Sequence, residues 1–171
     1  MFVERIIPPR PSQLGELPSG RAGTVETLRL MRSRVRAGKT NPHVRAQALT
    51  LIADLPAKQY GREIARIFEF VRDSIRYTRD VRGVETLQEP WITLADKVGD
   101  CDDKVTLLAA LLESVGHPTR AIAIGLSGAP LSHVYLETRL GPKWIPLDAT
   151  ESWPAGIVKF KGVTSRYVQD F

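Results

Sequence analysis

One cysteine in 171 residues excludes an intrachain disulfide framework, so a reducing compartment is the expectation. That thiol and three histidines lack the paired spacing of a zinc site, and no metal or other cofactor is expected. No stretch approaches the roughly 18 apolar residues of a membrane span. The opening MFVERIIPPRPSQLGELPSG lacks the apolar core of a secretory signal. A cytoplasmic protein with no membrane partner is therefore expected. No internal repeat or low-complexity block is visible, which removes repeat arrays from consideration.

What is present suits one well-cored domain: 43% of residues are hydrophobic, and the chain is short for two domains. The net charge of +5 is unevenly placed. Residues 1–50 hold nine Lys/Arg (Arg5, Arg10, Arg21, Arg29, Arg32, Arg34, Arg36, Lys39, Arg45) against Glu4, Glu16 and Glu26. The remainder sums to −1, so the basic character belongs to the N-terminal third. Such a bias suits nucleic acid, an acidic protein partner or simply a solvated helix face. No aromatic interleaving, glycine-rich loop or nucleic-acid motif accompanies it, so nucleic acid is not the expected partner.

Periodicity divides the chain into helices followed by strands. Residues 1–20 carry four prolines and read as an extended arm. Residues 21–58 read as a basic helical segment. In it Thr24 caps VETLRLMRSRVRAG, Gly38 closes that helix, and Asn41-Pro42 opens a second that stops before Pro56. GREIARIFEFVRDSIRY places Ile64, Ile67, Phe68, Val71 and Ile75 on one stripe. Residues 77–100 form a long connection with a short helical piece around Trp91–Asp96. The next helix begins near Cys101, with Leu107, Leu108, Leu111 and Leu112 as its buried stripe. RAIAIGL, SHVYLETRL and KWIPLDAT then alternate as short strands, the last two joined by an LGPKW hairpin. The tail KFKGVTSRYVQDF adds a strand or stays an arm. The class is α+β with an antiparallel sheet. A core over residues 59–150 and an extension over 151–171 complete the expected organisation.

Cys101, within KVGDCDDKVTLLAALLESVG, is either a small buried hydrophobe or a nucleophile. A helix N-terminus favours a thiolate through free backbone N–H groups and the macrodipole. Asp100, Asp102 and Asp103 oppose a second anion, so activation requires a histidine. His43 lies in the basic segment with no reason to face Cys101. His117 follows the far end of the same helix, about 24 Å away at 1.5 Å per residue. By elimination His133, opening a strand, is the base. Its imidazole needs an orienting acceptor. With a hairpin centred near residue 141, position 133 lies roughly opposite 148–149, which brings Asp148 beside it.

GDCDDKVTLLAALLESVGHPTR, then HVYLE, then WIPLDAT, resembles the transglutaminase-like superfamily of papain-fold cysteine enzymes. The matching positions are Gly99, Cys101, His133, Glu137, Trp144 and Asp148, in the family's order, over about residues 62–150. Val134 stands where many members carry an aromatic, and LGPKW is a short link. The resemblance implies a papain-like core and thiol-dependent acyl transfer: attack on a peptide or protein amide, a thioester, then release to water or an amine. It implies Cys101 as nucleophile, His133 as general acid/base and Asp148 as orienter. The Cys101 N–H is one oxyanion donor, and Gln88 is either a second donor or an ordinary loop residue. Trp91 walls a substrate cleft or fills core. The chain also resembles small proteins encoded by tailed phages and prophages. That likeness implies the alternative of a non-enzymatic virion or assembly component, binding phage structural proteins through residues 1–50.

Overall fold

The computed structural model describes residues 12–13, 21–78 and 86–171. In chain order the elements are β1 (Ser12–Gln13), α1 (Arg21–Gly38), α2 (Pro42–Ile52), α3 (Tyr60–Ser74), β2 (Arg76–Tyr77), β3 (Thr86–Leu87) and α4 (Pro90–Asp96). They continue with β4 (Val98–Gly99), α5 (Cys101–Ser114), β5 (Thr119–Leu126), β6 (His133–Leu140), β7 (Lys143–Leu147) and β8 (Val163–Asp170). Helices come first and an antiparallel sheet closes the chain, which is the expected α+β arrangement.

Leu28, Met31 and Val35 of α1 recur every three or four residues and are fully buried, as are Ile64, Ile67, Phe68 and Val71 of α3. The Asn41 side chain accepts from the His43 and Val44 backbone N–H groups, and Pro42 occupies the first turn of α2, where its missing N–H costs nothing. α1, α2 and α3 all pack against α5. Eleven of the fourteen α5 residues are buried, so this helix is enclosed on every side rather than along one leucine stripe. It is the axis of the molecule.

The sheet order is β7-β6-β5-β8. Alternation divides its two faces. Ala121, Ala123, Val134, Leu136 and Leu147 join the helical core. Ile122, Ile124 and Tyr135 form a second small core, covered by Val158 and Phe160. The tail supplies β8, which pairs with β5 from Arg120 to Leu126. The second core and β8 bind the expected 151–171 extension to the sheet.

Several expectations are revised. α1 starts at Arg21, so Thr24 lies inside it rather than capping it. Gly38 is the last helical residue and is buried, and its role is close approach: a Cβ there would meet Pro90 Cγ at 2.6 Å and Ala110 Cβ at 2.9 Å. The 77–100 connection holds two strand pairings invisible to periodicity at two residues each. β2 pairs in parallel with β4, and β3 pairs antiparallel with β1. The basic segment 21–58 shares one core with α3 and α5. Of the arm at 1–20, only Ser12–Gln13 lies within the described residues. No helix among the described residues is long and apolar enough to cross a membrane.

Candidate active site

The site is assembled around the start of α5. Asp100 is the N-cap: its Oδ1 accepts from the Asp103 N–H at 3.0 Å, while Asp103 Oδ2 accepts from the Asp100 N–H at 3.3 Å. This reciprocal box satisfies two helix-end donors. Asp103 is 1% exposed, and its Oδ1 also accepts from the Gln88 N–H at 2.7 Å, tying the preceding loop to the helix start. Gly99 permits that packing, because a Cβ would sit 2.7 Å from Asp103 Cβ. Two of the three aspartates flanking the thiol are thus architectural.

Cys101 occupies the first helical position, half-buried. Its Sγ donates to Asp102 Oδ1 at 3.5 Å and receives the Val134 backbone N–H. Val134 directly follows His133, so the thiol lies against the start of β6. Burial first, then the Asp102 and Asp100 carboxylates and the Asp102 hydrogen bond, push the thiol well above its ordinary value; the Val134 N–H alone pulls it down. That shift favours the protonated thiol. The helix-end field is outweighed by desolvation and adjacent negative charge.

His133 Nε2 lies 2.8 Å from Asp148 Oδ2. The pairing is diagonal rather than directly opposite. The turn is the two residues Gly141-Pro142, Leu140 pairs with Lys143, and Leu136 pairs with Leu147. Extending that register sets Asp148 across from Tyr135, two residues along from His133 and on the same face. Asp148 is 1% exposed. Burial raises its carboxyl, but the His133 hydrogen bond and charge, with two bonds from Thr150, outweigh that and hold it below the usual range. Thr150 gives Asp148 Oδ1 its N–H at 2.9 Å and its hydroxyl at 2.6 Å. Phe160 packs on the imidazole with ring centres 5.1 Å apart and meets Trp153 edge-on.

The remaining candidates fall elsewhere. His43 is exposed on α2. His117 is buried 2.9 Å from Glu63 Oε2 and meets Tyr60 edge-on, a packing role at the far end of α5. Gln88 sits beside the helix start, its Nε2 3.5 Å from the Val98 carbonyl and its Oε1 accepting from the Thr93 hydroxyl at 3.4 Å. Trp91, on α4, is half-buried against the helical core. Glu137 accepts from Arg120 at 2.7 Å, and that guanidinium lies 4.1 Å over the Trp144 ring. These two family-like positions therefore form a brace on the outer face of the sheet. Among the described residues no group of His, Cys, Asp and Glu is placed to hold a metal ion.

Sequence reasoning missed Thr150. An Asp followed two residues later by a hydroxyl residue is a turn signal, legible in DAT.

A family model described as the transglutaminase-like superfamily matches residues 34–149. The chain belongs to that superfamily. No curated protein sequence matches it. Among solved structures, this transglutaminase-like chain is similar to a candidate cysteine protease of Cytophaga hutchinsonii. The TM-score is 0.53 at 17% identity, covering 75% of this chain and 50% of that one. A candidate protease of Parabacteroides distasonis gives 0.61 at 13% identity, over 85% of this chain and 32% of that one. LapG of Legionella pneumophila gives 0.51 at 18% identity, over 72% and 75%. At such identities the likeness establishes the fold. The chain spans half the length of the Cytophaga protein and about a third of the Parabacteroides one.

Proposed function

We propose that this transglutaminase-like protein is a cysteine peptidase or amidase acting through Cys101, His133 and Asp148. The observation that carries the reading is the His133–Asp148 contact of 2.8 Å, at the strand start whose next N–H meets the Cys101 sulfur. The protease-like neighbours favour a peptide or protein amide as substrate.

Because Asp148 occupies Nε2, Nδ1 is the nitrogen available to the thiol. The neutral thiol passes its proton to Nδ1 as sulfur attacks the amide carbon, so the base acts during attack rather than before it. The carbonyl π electrons move onto oxygen. That oxyanion meets the Cys101 N–H, free at the first turn of α5, and the Gln88 amide, whose bond to Val98 is long enough to exchange readily. As the C–N bond breaks, the amine leaves with the Nδ1 proton and a thioester remains. Water then adds with Nδ1 taking its proton, and collapse returns that proton to sulfur with release of the acid. Asp148 stays an anion throughout and stabilises the imidazolium.

Incubation with a mixed peptide library, with products read by mass spectrometry, tests this. Cys101→Ala should abolish turnover, and His133→Ala should reduce it by about 10²–10⁴-fold. Full turnover by Cys101→Ala overturns the reading. Amine-linked products in place of acids would make the protein a transferase.

The assembly alternative has less support. In its proposed binding segment, Arg34 pairs with Glu89, Lys39 lies 2.9 Å from Glu113, and Arg45 donates to the Ser114 carbonyl. These basic groups brace the helical core.

A further inference from the structure

The sheet ends in two edges, β7 and β8, and only one of them is closed. At β7, Pro146 has no N–H to offer, its carbonyl takes the Gly156 N–H at 2.9 Å, and Lys143 opens the strand. Proline, lysine and a covering loop are devices that keep an edge from pairing. β8 runs eight residues from Val163 to Asp170 and holds neither proline nor lysine. Its one irregularity falls opposite Gly125 and Leu126, so the register is regular from Ser165 to Asp170. Tyr167 and Phe171 pack on the helical core, so α1 meets β8 through the face of the strand and leaves its backbone edge open.

Hydrogen-bond direction identifies the groups this edge offers. The Phe171 N–H donates to the Thr119 carbonyl at 3.3 Å. Alternate residues of an antiparallel strand share a direction, so Gln169, Tyr167 and Ser165 also bond to β5, while Arg166, Val168 and Asp170 turn outward. Among the described residues those outward backbone groups meet no other backbone; the Asp170 carbonyl takes only the neighbouring Gln169 side-chain amide, at 2.9 Å. Exposed strand backbone of this kind accepts a further strand.

Charge selects which strand. A copy of β8 running antiparallel must set outward residues against outward residues. A two-fold axis at Arg166 or Asp170 would face like charges, and one at Tyr167 or Gln169 would face a charge with Val168. An axis at Val168 faces Val168 with itself and Arg166 with Asp170 on both sides, and opposite charges directly across a ladder attract. Both groups have capacity for this. The Arg166 side chain is 45% exposed and reaches Glu137 Oε1 only at 3.4 Å, with further donors to spare. The Asp170 carboxylate is exposed and has no ion pair among the described residues. Arg166 and Val168 lie on the sheet face that carries Ile124 and Ile122, so the facing side chains share that surface.

We propose that β8 is an interface between two copies of this chain: it pairs antiparallel with β8 of a second copy about a two-fold axis at Val168, with Arg166 of each facing Asp170 of the other. The occupant is a second copy because the strand carries its own complement, in charge and in backbone direction. The two four-stranded sheets become one continuous sheet with both helical layers on the same side, since residues paired across a ladder share a face. The inference is independent of the Cys101–His133–Asp148 reading.

Sedimentation of the full chain at low salt, from about 1 μM to about 1 mM, tests this. Wild type should shift from monomer to dimer as concentration rises. Folded Asp170→Arg and Arg166→Glu each set like charges across the ladder and should weaken association about tenfold, and the double variant should recover it. A wild type that stays monomeric throughout, or a dimer that neither reversal weakens, overturns the proposal. Because Arg166 also reaches Glu137, two further measurements leave it in place. Val168→Pro removes an outward N–H and no bond to β5, so it should fold and stay monomeric; dimers as strong as wild type would overturn the pairing. Hydrogen exchange on wild type needs no substitution. The Arg166, Val168 and Asp170 amides should slow severalfold between dilute and concentrated protein, while those of Ser165, Tyr167 and Gln169 are slow in both. Unchanged exchange at the three outward amides also overturns the proposal.

Discussion

Cys101 and Asp148 are shifted in opposite senses, and each shift gives a measurable consequence. The thiol is raised by burial and by Asp102, so removing that carboxylate should release part of the effect. Asp102→Asn should speed iodoacetamide alkylation at pH 8 by about tenfold, and the wild-type rate should keep climbing above pH 9. Slower alkylation in the variant would contradict the assignment of Asp102. Linkage adds a second test. A raised folded pKa contributes stability that is full below the unfolded value of about 8.5 and is lost as pH rises toward the folded value. Above pH 8.5 the unfolded chain has released a proton that the folded chain keeps. Wild type should then lose about 1.4 kcal/mol per pH unit relative to Cys101→Ala in denaturant unfolding. Asp148 works the other way. Its lowered carboxyl contributes stability above about pH 3.9, lost as pH falls through the folded value.

At the scale of elements, two glycines decide how closely helices approach. Ala usually stabilises a helix by about 1 kcal/mol over Gly. At Gly38 the added Cβ would collide with Pro90 and Ala110, so α1 would separate from α4 and α5. Gly38→Ala should cost about 1–3 kcal/mol in unfolding measurements, opposite in sign to propensity. Gly99→Ala pushes on Asp103, which completes the capping box of α5 with Asp100 and holds the Gln88 loop. It should depress turnover more than Gly38→Ala does, because the displaced element carries Cys101. Equal losses of turnover would show that the cap does not position the thiol.

For the whole molecule, the helices and sheet share a core built on α5, and the C-terminal extension completes the other face of the sheet. Cutting after Thr150 would remove β8 and uncover Ile122, Ile124 and Tyr135. Such a protein should aggregate or bind an apolar dye in a way the full chain does not. A soluble, cooperative fragment of residues 21–150 would refute this dependence.

Much of this architecture was legible in the chain itself. α3 announced its stripe, Asn41-Pro42 its helix start, and LGPKW its hairpin, because these depend on neighbours three or four residues away. Cys101, His133 and Asp148 were legible as a set from their places at a helix start and on adjacent strands. What escaped were contacts made at a distance. The β2–β4 pairing joins residues more than twenty apart through two-residue strands with no period to read. Gly38 reads locally as a stop, and only the approach of Pro90 and Ala110 gives it another purpose. The state of the Cys101 thiol also depended on tertiary structure, since burial against β6 and the orientation of Asp102 outweigh the helix-end field. The sequence by itself determined which polar groups a helix start and two adjacent strands could bring together, and in what order the elements run. The fold decided which charges those groups feel, because desolvation and through-space charge depend on the final packing and on no local pattern.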